Sequence, residues 1–151
     1  MAETTLPAEL PDWIKNHLAR YIETDGEDGY YWDATVGGGK GLVTTLLLTT
    51  TGRKSGRVLT LPLIFGEFDG KYVVVASKGG APEHPAWYLN LAANPEVHVQ
   101  VKADKFKAVA HTADATERAA LWPKMVEIYG PYADYQKKTD RQIPVVVLTR
   151  A

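Results

Sequence analysis

The chain has no cysteine. That absence removes disulfides, zinc–thiolate centres, iron–sulfur clusters and thiol nucleophiles together, and it fits a reducing cytosol. No sign of charge dominates either: 17 Lys and Arg against 18 Asp and Glu leave a net −1, with a pI of about 6.4. No global field draws the protein to nucleic acid, so any anion site has to be local. Long hydrophobic runs are missing as well. The longest, Leu42 to Leu48, is interrupted by Thr44 and Thr45, far short of the ~20 apolar residues that span a bilayer. No basic segment followed by an apolar one opens the chain, so no signal peptide is expected. His17, His84, His98 and His111 show no metal-ligand spacing, and no Gly-x-Ser-x-Gly elbow supports acyl-transfer hydrolysis. Gly37-Gly38-Gly39-Lys40-Gly41 imitates a phosphate loop, but Gly41 stands where Ser or Thr belongs and the expected strand follows it. It reads as a flexible connector.

What remains is ordinary globular material. At 151 residues the chain suits one domain that buries a sizeable core without staples. Trp13, Ile14, Leu18, Tyr21 and Ile22 recur at helical spacing after Pro11-Asp12, which predicts a helix over 11–22. Gly26 to Gly41 is polar and glycine-rich around Tyr30-Tyr31-Trp32, a loop long enough to hint at function. From Leu42 the period changes. Residues 42–50, 57–67 and 71–77 carry strand chemistry, and Asp69-Gly70 suits a type I′ hairpin turn. Pro85 opens a short helix that Asn94-Pro95 ends. Strands follow at 97–101 and 105–110, then a helix over 114–129 that Gly130-Pro131 stops, and a buried strand at 143–148. The count is about six strands, mostly hairpin-connected, with packed helices: an α+β fold built on a small antiparallel barrel. The expected organisation is a single domain, with an N-terminal helix and aromatic, glycine-rich loop over 1–41 and the barrel over 42–151.

Four segments carry chemistry. Residues 49–57 set Arg53, Lys54, Arg57 and four hydroxyls around Gly52 and Gly56. Glycines let amides converge on a ligand, and arginine, lysine and serine hold phosphates and carboxylates. The plain alternative is an exposed basic turn that keeps a sheet edge soluble. Val75-Ala76 runs into Ser77-Lys78-Gly79-Gly80, putting a hydroxyl, an ammonium and flexible amides at a strand end, where ligands are often held. His84 to Asn90 joins Trp87 and Tyr88 to a terminal amide; Trp87 suits a core anchor or the wall of a flat ring. Tyr129, Tyr132 and Tyr135 recur three apart, and their phenols can donate hydrogen bonds to a carbonyl or nitro oxygen.

Together, Leu48 to Gly56, Pro62-Leu63, Ala76 to Gly80, Trp87 to Leu91, the three tyrosines and Ile143 to Val147 resemble the deazaflavin-dependent nitroreductase and quinone reductase family, which uses coenzyme F420. The resemblance covers about residues 42–149 and implies a split β-barrel of mostly antiparallel strands. It implies that Arg53, Lys54 and Ser55 grip the phosphate and glutamyl tail, and that Leu59, Thr60, Leu61, Pro62, Leu63 and Ile64 run beside the deazaflavin ring. Val75, Ala76, Ser77 and Lys78 would contact tail and ring edge. Ala86, Trp87, Tyr88, Leu89 and Asn90 would close the tail groove, and Tyr132 would lie near the ring. Ser77, Tyr129, Tyr132 and Tyr135 match positions that hold or protonate the acceptor. One departure is that Leu59 stands where the family often has an arginine, with Arg57 two positions earlier.

The implied activity is hydride transfer from reduced F420 to a quinone-like acceptor, with nitroaromatics as further substrates. The alternatives are an FMN-dependent oxidoreductase on the same barrel and a non-catalytic deazaflavin carrier. The N-terminal forty residues match the family poorly and are expected to shape the acceptor pocket. No metal and no nucleic acid enter this reading. Localisation is expected to be cytoplasmic, with peripheral membrane contact through residues 11–22 as the further expectation beside plain packing on the barrel.

Overall fold

Valine and leucine fill alternate positions of several segments between 42 and 150, and these segments pair into one curled sheet. The structure is a computed structural model that describes residues 4–5 and 12–151. In chain order its elements are β1 (Thr4–Thr5), α1 (Asp12–Thr24), β2 (Tyr31–Asp33), β3 (Leu42–Thr51), β4 (Val58–Ile64), β5 (Gly66–Phe68), β6 (Lys71–Val75), α2 (Ala86–Ala93), β7 (Glu96–Val101), β8 (Asp104–Thr112), α3 (Ala115–Ile128), α4 (Pro131–Lys137) and β9 (Val145–Arg150). The strands lie in the order β1-β4-β3-β7-β8-β9-β6-β5, and β2 pairs with β3 off that path. Every pairing is antiparallel except β1 with β4. This is the α+β half-barrel that the sequence predicts. The six longer strands fall where strands are expected, but the one expected over 57–67 breaks at Phe65 into β4 and the short β5, and the short β1 and β2 are additional.

The sheet is covered on both faces along β6 and β9, which explains their unbroken apolar runs. Val74, Ala76, Val146 and Leu148 point into the barrel with Leu46, Leu48, Val97 and Val99, where Trp87 and Leu91 of α2 join them. Val73, Val75, Val145 and Val147 point the other way, against Met125, Tyr129 and Tyr132 of the α3–α4 layer. Local signals set the ends of these elements. Asp69 and Gly70 have φ of 54° and 74°, the left-handed pair that a type I′ turn demands. Asp114 and Glu117 form a reciprocal capping box at the start of α3. Pro131 stands in the first turn of α4, where its missing N–H costs nothing.

The N-terminal helix is tied to the barrel as well as to its own loop. Leu18 and Tyr21 are fully buried against Leu47. The Tyr21 hydroxyl reaches the Thr45 carbonyl oxygen at 3.0 Å and accepts from the Lys102 N–H at 2.9 Å. Burial pushes this phenol up to about 12. Pro11, where the sequence opens the helix, lies outside the described residues.

The glycine-rich stretch is ordered rather than a flexible connector. β2 pairs Tyr31, Trp32 and Asp33 with Thr44, Val43 and Leu42. Asp33 Oδ1 then accepts from the Thr35 N–H at 3.0 Å to cap a 3-10 turn over Ala34–Gly37. Gly37 and Gly39 are glycines because Tyr129 lies on them. A Cβ on Gly37 would collide with the Tyr129 hydroxyl, and one on Gly39 would sit 2.9 Å from its ring.

Candidate active site

A cleft of about 430 Å³ opens between β4, the end of β6, the start of α2, α4 and α1. One wall is β4, through Leu61, Pro62, Leu63 and Ile64. This strand pairs with β3 on one side, and on the other with β1 only as far as Leu59. Its outer main-chain edge from Leu61 onward therefore meets no strand among the described residues. Proline is tolerated at such an edge. Val75, Ser77, Lys78, Pro85 and Trp87 form the floor and far end, and Tyr129, Tyr132 and Tyr135 close the α3–α4 side. Trp13, Ile14 and His17 of α1, with Trp32 and Thr45, complete the lining. Trp13 and Trp32 stack with centroids 5.9 Å apart and planes at 14°, and Trp13 remains half exposed. The surface is largely apolar, with polar atoms at a few points.

The loop after β6 holds an unusual backbone. Lys78, Gly79 and Gly80 take φ of 48°, 64° and 83°. A lysine in that region is strained by roughly 1–3 kcal/mol and persists only where surroundings impose it. Arg141 imposes it. Its guanidinium donates to the carbonyl oxygens of Ala81 at 2.8 Å, Ser77 at 2.7 Å and Ala76 at 3.3 Å. It also donates to His84 Nδ1 at 3.0 Å, and burial together with this cation holds His84 below the usual imidazole range. Lys78 Nζ pairs with Glu83 at 3.1 Å on the exposed side.

The tyrosines form a ring cluster, with centroids 5.0 Å apart for Tyr129–Tyr132 and 6.4 Å for the other two pairs. Tyr129 donates to the Gly37 carbonyl oxygen at 3.0 Å, and its oxygen lies 3.4 Å from that of Tyr135. Tyr132 is buried and its hydroxyl has no partner among the described residues, yet no enclosed side-chain polar atom there lacks one. That hydroxyl therefore opens into the cleft. Burial raises Tyr129 and Tyr132 well above the usual phenol range, reinforced at Tyr129 by Tyr135. At neutral pH they are hydrogen-bond donors and poor acids.

The basic loop lies outside these walls, beyond the far end of the cleft. Arg53, Lys54, Ser55 and Arg57 are exposed. Arg53 donates from its main-chain N–H and its guanidinium to Asn90 Oδ1, both at 3.2 Å. Asn90 is buried and also donates to Thr50 Oγ1 at 3.3 Å. It lies about one helical turn beyond Trp87, so α2 links cleft and loop. Among the described residues no carboxylate pairs with Lys54 or Arg57. Of the residues named from the sequence, Leu61 to Ile64, Val75, Ser77, Lys78, Trp87, Tyr129, Tyr132 and Tyr135 share the cleft. Arg53, Lys54, Ser55, Leu59, Thr60, Ala76, Ala86, Tyr88, Leu89 and Asn90 do not line it. Thr60 is bonded to Thr49 at 2.7 Å, Ala76 is in the core, and Tyr88 bonds Thr112 at 2.9 Å. Sequence reasoning named none of Trp13, His17, Trp32, Thr45 and Arg141 individually, although the expectation that the N-terminal forty residues shape the pocket covers Trp13, His17 and Trp32.

A strand edge, an apolar aromatic cleft and a detached cationic loop make up the candidate site of this half-barrel. Comparison with known proteins narrows this. Residues 13–150 match the F420H(2)-dependent quinone reductase family. The chain is 38% identical over 154 aligned positions to an F420H(2)-dependent quinone reductase of Mycobacterium tuberculosis, covering 94% of this chain and 99% of that one. Among solved structures, an F420-H2 dependent reductase (FDR-A) is 48% identical with a TM-score of 0.64, covering 69% of this chain and 92% of that one. A structure described as a domain-swapped dimer is 42% identical with a TM-score of 0.67, covering 91% and 97%. The chain belongs to the F420H(2)-dependent quinone reductase family, and coenzyme F420 is its cofactor.

Proposed function

We propose that the cleft binds reduced F420 and a quinone face to face, with Arg53, Lys54 and Ser55 on the phosphate and glutamyl tail. The observation that carries this is Tyr132: a phenol with no partner among the described residues, in an apolar cleft that is also walled by a strand edge no described strand pairs. When bound, the coenzyme supplies a hydride. The chain supplies position, electrostatics and exclusion of water. Unpaired Lys54 and Arg57 neutralise the tail, and Asn90 fixes Arg53 so that the loop is aligned with the cleft. Leu59 to Ile64 and Val75 to Lys78 keep the ring against β4. Ala86 to Asn90 close the groove between ring and tail. Ser77 and Tyr132 hydrogen-bond the acceptor oxygen. Tyr129, held by Gly37, and Tyr135 complete that polar side. Trp13 and Trp32 cover the acceptor with flat apolar surface, a shape suited to a quinone and tolerant of nitroaromatics.

The direct test follows oxidation of reduced F420 against a panel of quinones, nitroaromatics and enones. Tight coenzyme binding without turnover on any acceptor would favour a carrier. Stronger fluorescence quenching by FMN than by F420 would favour the flavin alternative. Lys54→Ala is expected to weaken F420 binding about tenfold at low ionic strength, with the gap closing in high salt. Equal affinity of both proteins in low salt removes Lys54 from the tail site. Tyr132→Phe is expected to slow single-turnover acceptor reduction by about 10–100-fold while coenzyme affinity changes by less than threefold. An unaltered rate rejects that role. No helix among the described residues is long and apolar enough to cross a membrane. For α1, the burial of Leu18 and Tyr21 supports packing on the barrel over lipid contact; cosedimentation with anionic vesicles would reverse that reading.

A further inference from the structure

His17 stands where α1 meets the cleft. Its Nε2 is 2.7 Å from the Gly29 carbonyl oxygen and 3.4 Å from Thr45 Oγ1. A carbonyl oxygen only accepts, so Nε2 carries a proton and donates it. Among the described residues Nδ1 has no partner, and no enclosed side-chain polar atom lacks one. Nδ1 is therefore open to a cavity. Two adjoin it: the cleft and a neighbouring hollow of about 230 Å³, both of which His17, Trp13 and Trp32 line. The neighbouring hollow is polar, with Arg20, Asp28, Tyr31 and Asp33 around it. The ring thus has Nε2 anchored and Nδ1 without a described partner, between a hollow lined by charged groups and the apolar cleft.

We propose that His17 is the proton donor to the acceptor, passing the Nδ1 proton of its imidazolium to an acceptor oxygen in the cleft and regaining one from water through the Asp28–Asp33 hollow. The proposal rests on the reductase reading above. Reduction of a quinone to a hydroquinone takes up one hydride and one proton. The hydride, with its electron pair, comes from the reduced coenzyme, which is oxidised and loses its second proton to water. The Nδ1–H bond breaks as an O–H bond forms on the acceptor, and the neutral ring is then reprotonated from water.

The other titratable groups on the cleft wall serve this step less well. Lys78 is paired with Glu83. Tyr129 spends its proton on Gly37, and burial holds Tyr129 and Tyr132 in the neutral form. Imidazole is the side chain that exchanges protons near neutrality, where a general acid works best. The charged and titratable groups facing His17 are Arg20 from α1, Asp28 from the turn that follows, Tyr31 and Asp33 from β2, and Lys78 with the three tyrosines across the cleft.

Two measurements test it. In the first, single-turnover oxidation of bound reduced F420 by 2-methyl-1,4-naphthoquinone is followed across pH in wild type and His17→Gln, whose amide can still donate to Gly29. The wild-type rate should fall as rising pH strips the proton from the imidazolium, while the variant should be about 100-fold slower at low pH and flat. In the second, nitrogen NMR of the coenzyme-free wild type reads the ring directly. The neutral ring should carry its proton on Nε2, and raising the pH should remove the Nδ1 proton. A proton on Nδ1 instead, or a ring that does not titrate, overturns the proposal without reference to turnover. A variant that keeps the wild-type pH profile overturns it too and leaves the reductase reading intact. A wild type that oxidises reduced F420 with no quinone sinks both.

Discussion

Replacing Arg141 with methionine should cost about 3 kcal/mol of stability and at least tenfold in F420 affinity. One guanidinium satisfies three carbonyl oxygens and the His84 ring nitrogen, each a charge-assisted bond of roughly 1.5–3 kcal/mol before non-additivity. Methionine fills similar volume but donates nothing, so these acceptors lose the guanidinium and the Ser77 carbonyl oxygen keeps only the Gly80 N–H. Lys78 would then relax from its left-handed conformation, and Ser77 would leave the floor of the cleft. Arg141→Lys should recover only part of this, because a single ammonium cannot match four acceptors in one plane. Urea denaturation and fluorescence titration of both variants read the two effects. An Arg141→Met midpoint equal to wild type would mean that the 76–84 loop holds itself.

Gly37→Ala should destabilise the fold by about 1–3 kcal/mol, the range for inserting a methyl into a filled space, and slow acceptor reduction at least tenfold. The added Cβ meets the Tyr129 hydroxyl, and the next contacts are Trp32 and Tyr129 ring atoms at 3.2 Å. Tyr129 must swing away, giving up its bond to Gly37 and its approach to Tyr135. The same substitution in a Tyr129→Phe background removes the colliding atom, so its stability cost should drop by more than half. Equal costs in the two backgrounds would place the strain elsewhere.

The barrel was readable because its signals are local. β-Branched alternation marks β7, Asp69-Gly70 marks its hairpin, and the Asp114–Glu117 box marks α3. Strand β2 escaped because three residues between glycines carry no period, and their pairing with Leu42 to Thr44 depends on where α1 docks. The cleft divides the same way. Ser77 and the tyrosines came from recognisable segments, whereas Arg141 acts on main-chain carbonyls, which have no sequence signature. His17 and Trp32 meet only after α1 crosses the sheet. The basic loop was found, but its separation from the cleft wall follows from the length of β4, about 10 Å from Val58 to Leu61 at strand rise.

The attachment of α1 has a consequence for how acceptor preference can change. The helix is pinned to the barrel by Leu18 and by the Tyr21 phenol, while Trp13, Ile14 and His17 reach the cleft from the same few turns. Donor recognition is written into the strands; much of the second substrate's surroundings rides on one interchangeable cartridge with its own fastening. Exchanging that helix between relatives should transplant a taste for particular oxidants while leaving the grip on the deazaflavin untouched.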